Sequence, residues 1–202
     1  MPKDGVRKKS IFIRHISDET EVARWLKARL DRDFLGTLDI FVSNAASGVQ
    51  KPLSEIEDRA WAWTMDVNAR ALLFGAQRAA ALMPDGGSIV ALTSAGSTRV
   101  LPGYGVVGAS KAALEALVRY LAVELAPKIR VNAVSPGVVD TDALTHFPNG
   151  AEIIADAASR TPAGRLATPD DVAEVVSFLC SPGAEMIRGH TLVIDGGAGL
   201  FA

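Results

Sequence analysis

A doubly wound parallel α/β sheet is the fold class predicted for this chain, and three observations predict it. Short apolar runs of strand length recur at Ser10 to Ile16, Leu38 to Ser43, Ser88 to Thr93, Ile129 to Val134 and Thr191 to Ile194. Longer stretches with apolar residues at helical spacing separate them, so strand and helix alternate. Runs such as LDIFVS and SIVALT are nearly continuous in apolar residues, as strands covered on both faces are.

Each element has its own signals. After SIFIRHI, Asp18 and Glu19 open a helix whose stripe is Val22, Trp25, Leu26 and Leu30, and Gly36 closes it. LDIFVS ends in the small-residue loop Asn44 to Gly48, which lets a ligand approach backbone. A long helical segment from about Ser54 to Leu82 stops at Pro84-Asp85-Gly86-Gly87. SIVALT delivers Ser94, and Pro102-Gly103 is expected to start a helix that runs to about Ala126, before Pro127. IRVNAV leads into Ser135-Pro136-Gly137. The irregular stretch from Val138 to about Thr168 is long for a connection and is the candidate substrate lid. Thr168-Pro169-Asp170-Asp171 caps a helix to Cys180, and TLVI is the last strand.

Composition narrows the classes. With 202 residues, 49% of them hydrophobic, one domain over 1–202 with a sizeable core is expected. A net charge of -2, with Arg7-Lys8-Lys9 as the compact basic run, points away from nucleic acid and anionic lipid as partners. A single cysteine, Cys180, fits a reducing compartment, and His15, His146 and His190 lack metal-ligand spacing. MPKDGVRKKS has no apolar signal core and the longest apolar stretches are cut by arginines, so a cytoplasmic location is expected.

The stretch from Ser94 through Tyr104 to Lys111 carries the chemistry. Seven residues is nearly two helical turns, which puts Tyr104 and Lys111 on one face about 10 Å apart along the axis. A ligand between them is held by the ammonium at one end and offered the phenolic proton at the other. A nearby cation also favours the ionised phenol, bringing Tyr104 nearer to useful acid strength. Alone, such a pair is usually a half-buried aromatic and a solvated cation, so the surrounding motifs decide.

Those motifs, in order, resemble the short-chain dehydrogenase/reductase superfamily from about Gly5 to Ala202. Asn44-Ala45-Ala46 is similar to the family's loop beside the adenosine, and Asn68 in MDVNA matches its helix asparagine. Ser94 and Lys111 stand at the serine and lysine positions. Pro136-Gly137, with Val139 and Thr141, resembles the segment that binds the nicotinamide carboxamide, and Ile194-Asp195-Gly196-Gly197 resembles the C-terminal signature. Most of the superfamily carries its tyrosine four residues before the lysine, where this chain has Val107. The spacing found here resembles the enoyl-acyl-carrier-protein reductases, and AASGV, LAVEL, DTDAL, HFPN, TPAGR and MIRG resemble their NADPH-dependent FabL branch.

The resemblance implies a Rossmann-like fold and fatty acid synthesis as the setting, with NADPH as cofactor and NADH as the alternative. It implies an enoyl thioester of acyl-carrier protein or CoA as substrate, and a homotetramer. Catalytic roles fall on Tyr104, Lys111 and Ser94, and cofactor contacts on Asn44, Ala45, Lys111, Pro136, Gly137, Val139 and Thr141. Asn68 is either a helix and water organiser or structural.

One departure is large. The family begins with a strand, a glycine-rich phosphate turn, a helix and a second strand, whereas Gly5 and Gly36 are the only glycines before Gly48. SIFIRHI matches the family's third strand, with His15 near the adenine position, so the chain reads as N-terminally truncated or incomplete. With the family order 3-2-1-4-5-6-7, Ser10 to Ile16 is expected to move into the vacancy and pair directly with Leu38 to Ser43. Besides the enoyl reductase, two readings stay open: a ketone or alcohol oxidoreductase of the wider superfamily, and a non-catalytic subunit that binds no dinucleotide.

Overall fold

The computed structural model describes residues 10–13, 38–139 and 150–200, and in 10–13 and 150–154 it describes backbone only. Five strands, β1 (Ser10–Ile13), β2 (Ile40–Ser43), β3 (Gly87–Leu92), β4 (Ile129–Pro136) and β5 (Thr191–Ile194), form one sheet in the order β1-β2-β3-β4-β5. Every neighbouring pair is parallel. The four expected strands from Leu38 onward therefore hold to within a residue or two at their ends, and β1 does pair with β2, in the register Ser10↔Ile40 to Ile13↔Ser43. Residues 14–16 of the expected first strand, His15 among them, and the helix expected over 18–36 lie outside the described residues.

Successive side chains of a strand face opposite ways, and the core is divided accordingly. Phe41, Ile89, Ala91, Val131 and Ala133 face one layer of helices, and Val42, Val90 and Val134 face the other. The first layer is α1 (Asp58–Met65), a π-helical turn (Asp66–Arg70) and α2 (Ala71–Ala81) in one continuous run, together with α3 (Gly105–Glu124). The second is α5 (Pro169–Cys180), whose Val176 and Leu179 enter the core. Thr168 and Asp171 form a reciprocal capping box at its start, and the Arg165 guanidinium, 2.6 Å away, holds the Asp171 carboxyl below the usual carboxylate range.

Two expectations are corrected. Pro102-Gly103 does not start the helix: Gly103 takes φ +69°, a left-handed conformation that closes a turn, and α3 begins at Gly105 with Tyr104 as its N-cap residue. The stretch from Val138 to Thr168 is not irregular throughout, since α4 (Gly150–Arg160) lies within it; residues 140–149 are outside the described set. Among the described residues no helix is long and apolar enough to cross a membrane.

Leu72 sits at the centre of the first layer, fully buried between α2 and the sheet, whereas Val123 on α3 is 77% exposed. Truncating Leu72 to Ala is expected to lower unfolding stability in urea by about 3 kcal/mol, against about 0.5 kcal/mol or less for Val123→Ala.

Candidate active site

The carboxyl ends of β2, β3 and β4 lie along one edge of the sheet, where parallel α/β folds place their ligands. β3 ends at Leu92, and Ser94 follows in extended backbone before a short turn, Ala95–Ser97. The turn brings the chain back to Tyr104 so that Ser94 Oγ and Tyr104 Oη lie 3.4 Å apart. This approach depends on Gly96, because a Cβ there would sit 2.5 Å from the Tyr104 ring. Both hydroxyl residues are half-buried, with access from solvent.

Lys111 is placed differently from the solvated cation its residue type predicts. It is 3% exposed, and its ammonium donates to the Leu92 carbonyl at 2.8 Å. Burial lowers its pKa to about 8, since the charged form loses hydration. Tyr104 and Lys111 are not bonded to each other, as their spacing predicts; each is tied instead to the end of β3. With one protein acceptor, the ammonium keeps two N–H donors for the hydroxyls of a ligand.

Val107, at the superfamily's usual tyrosine position, is 6% exposed. It packs beneath Gly48, where a Cβ would come within 2.3 Å of Val107 Cγ2, so the position is both aprotic and sealed. Asn68 lies in the π-helical turn, 1% exposed, with every polar atom of its side chain engaged. Its Oδ1 accepts from Ser47 N at 3.0 Å, and its Nδ2 donates to Ser47 O at 2.8 Å and to Ser110 Oγ at 2.7 Å. The Asn68 side chain is thus a strut between the Asn44 to Gly48 loop and α3. Trp63 Nε1 adds a second tie to Ser47 Oγ at 2.9 Å.

The expected cofactor residues divide. Asn44 is exposed and Ala45 buried at the end of β2; Pro136 closes β4 and Gly137 N donates to Ile194 O at 2.9 Å. Val139 pairs with Ala167 in an isolated bridge, and Thr141 lies outside the described residues. A trough of about 500 Å³ reaches Asn44 but none of Ser94, Tyr104 or Lys111; it runs over the opposite face between α5 and Ile40, Val42 and Leu92. It lies over the sheet face, not in place of the β1–β2 pairing. Among the described residues no three potential metal ligands cluster. Glu115 belongs to the buried face of α3 with Lys111, and its offset of four residues from the lysine is the sequence signal that could have found it; Ser110, also buried, turns toward Asn68 instead.

A lysine whose folded pKa lies below its unfolded value binds its proton less readily when folded, so between about pH 8 and 10.5 the unfolded chain holds more protons. Folding stability from this group therefore rises with pH across that window. Lys111→Met is expected to remove that rise, about 3 kcal/mol at most, when urea unfolding of the two chains is compared from pH 7 to 10.5.

The match to known proteins agrees with this geometry. Residues 5–199 match the family described as enoyl-(acyl carrier protein) reductase. The chain is 44% identical over 174 residues to a 1-cyclohexenylcarbonyl-CoA reductase of Streptomyces collinus, covering 83% of this chain and 61% of that one. It is 37% identical over 196 residues to a hydroxynaphthalene reductase-like protein of Metarhizium brunneum, covering 91% of this chain and 73% of that one. Its fold superposes on the Bacillus cereus enoyl-acyl carrier protein reductase, solved with NADP+ and indole naphthyridinone, at TM-score 0.82 and 27% identity, over 92% of this chain and 73% of that one. The chain belongs to the short-chain dehydrogenase/reductase superfamily, in its enoyl-(acyl carrier protein) reductase family.

Proposed function

We propose that this chain carries the catalytic half-site of an NADPH-dependent reductase of enoyl thioesters borne by CoA or acyl-carrier protein. The observation that carries the reading is the exchange of roles at the start of α3: Tyr104 presents its hydroxyl beside Ser94, while Val107 is sealed under Gly48. Reduction at a β-carbon leaves an enolate oxygen that needs a hydrogen-bond donor, and Tyr104 is the donor available. Ser94 orients the phenol. Lys111, with a pKa of about 8, is mostly protonated at neutral pH and holds ligand hydroxyls through its two remaining donors.

The residues present fit a nicotinamide cofactor at its nicotinamide-ribose end. Lys111, Pro136, Gly137 and Val139 would hold that end, with Thr141 alongside them in sequence, and Asn44 and Ala45 would lie toward the adenosine. The cofactor supplies the hydride. Among the described residues no glycine-rich strand-to-helix turn offers a pyrophosphate cradle, and β1 stands beside β2. NADPH over NADH, fatty acid synthesis as the setting and a homo-oligomer built on the exposed Phe74, Tyr120 and Val123 belong to the same proposal.

The Streptomyces relative supports enoyl chemistry, because the substrate in its name carries a double bond conjugated to a thioester carbonyl. A carbonyl reductase is the second reading, favoured by the hydroxynaphthalene reductase-like relatives. The purified chain, given NADPH and a crotonyl thioester, is expected to consume both. Tyr104→Phe is expected to lower kcat about a hundred-fold while Val107→Ala changes it less than about threefold. Failure to bind NADPH at millimolar concentration would leave the non-catalytic reading standing.

A further inference from the structure

Two ionisable side chains are buried one turn apart on the inner face of α3, and the proposed reaction uses only one of them. Lys111 is 3% exposed and Glu115 8%. Both are tied to the end of β3, on successive residues: Lys111 Nζ donates to Leu92 O at 2.8 Å, and Thr93 Oγ1 donates to Glu115 Oε1 at 2.8 Å. Thr93 is fixed in turn, its N–H donating to Val134 O of β4 at 2.9 Å. Among the described residues no cation lies within ion-pair distance of Glu115. A carboxyl buried that deeply costs stability unless its hydrogen bonds are well placed, so the Thr93 contact is a strong constraint.

We propose that Glu115, acting through Thr93, is a positioning residue for the Ser94–Tyr104 pair. Thr93 immediately precedes Ser94, and Tyr104 caps the helix that carries Glu115, so the 3.4 Å between the two hydroxyls follows from how α3 lies along β3. The Lys111 contact ties the helix to β3 at one point. The Glu115 contact, about 6 Å further along the axis, supplies a second tie to the same strand end, through the residue that precedes Ser94. The catalytic meaning of the pair rests on the reductase reading, whereas the clamp itself is a property of the fold.

The sequence has two tyrosines, and Tyr120 is 70% exposed on the outer face of α3, so tyrosine carbon NMR carries its own reference. Thr93→Val keeps the shape and removes the hydroxyl; Thr93→Ser keeps the hydroxyl. The Tyr104 resonance is expected to move in Thr93→Val and return in Thr93→Ser, with Tyr120 unmoved in both. In turnover, Thr93→Val is expected to lower kcat about tenfold with KM within about twofold, and Thr93→Ser to restore most of it. A second pair guards against a variant that does not fold: Glu115→Gln, whose amide oxygen still accepts from Thr93, should leave Tyr104 in place, and Glu115→Ala should move it. An unmoved Tyr104 in folded Thr93→Val or Glu115→Ala, with only the melting temperature lowered, overturns the proposal. A wild-type chain without turnover sinks the reductase reading alone and leaves the resonances to decide the clamp.

Discussion

The hydrogen bond from the Lys111 ammonium to the Leu92 carbonyl, 2.8 Å long, ties α3 to the carboxyl end of β3. A cation at 3% exposure loses most of its hydration, and the fold tolerates it only where a carbonyl points at it. β3 ends there with a carbonyl left over, so α3 must cross the end of β3 at this residue. Once it does, the N-terminal turn of α3 lies over the Ala95–Ser97 turn, and Tyr104 meets Ser94. The same crossing pushes Val107 beneath Gly48. The ties of Lys111 to Leu92 and of Glu115 to Thr93 together hold the helix with Tyr104 half-buried beside Ser94 and Val107 in the core.

Much of this could be read from residue order. The apolar runs IFVS, SIVAL and IRVNAV are strands because their burial is two-sided, and Thr168 with Asp171 caps a helix for the ordinary reason that its first amides need acceptors. The Tyr104 to Lys111 spacing placed both on one side of a helix. The depth of Lys111 could not be read, because nothing local distinguishes a lysine aimed at a strand carbonyl from one in water. The π-helical turn at Asp66–Arg70 was also hidden: it depends on Asn68 bonding Ser47 and Ser110, at sequence separations of 21 and 42. The start of α3 is not legible to within two or three residues, because Pro102-Gly103 can begin a helix or close a turn, and the choice rests on the φ of Gly103.

The β1–β2 pairing divides the site into two halves of different character. On one side stand Ser94, Tyr104 and Lys111 at the end of β3, and Pro136 and Gly137 at the end of β4. On the other side, β1 adjoins β2 directly, and the chain spans 61% of its Streptomyces relative and 73% of the fungal one. Ser94, Tyr104 and Lys111 are held at the end of β3 and by α3, whereas β1 joins the sheet through β2.

That placement of Tyr104 over Val107 makes conjugate reduction the expected reaction, and the fate of a labelled hydride tests it most directly. The chain, given NADPH deuterated at the nicotinamide C4 position and an enoyl thioester that also carries a ketone, is predicted to deliver deuterium to the β-carbon of the saturated thioester. Deuterium on a carbinol carbon, with the double bond left intact, would contradict the account.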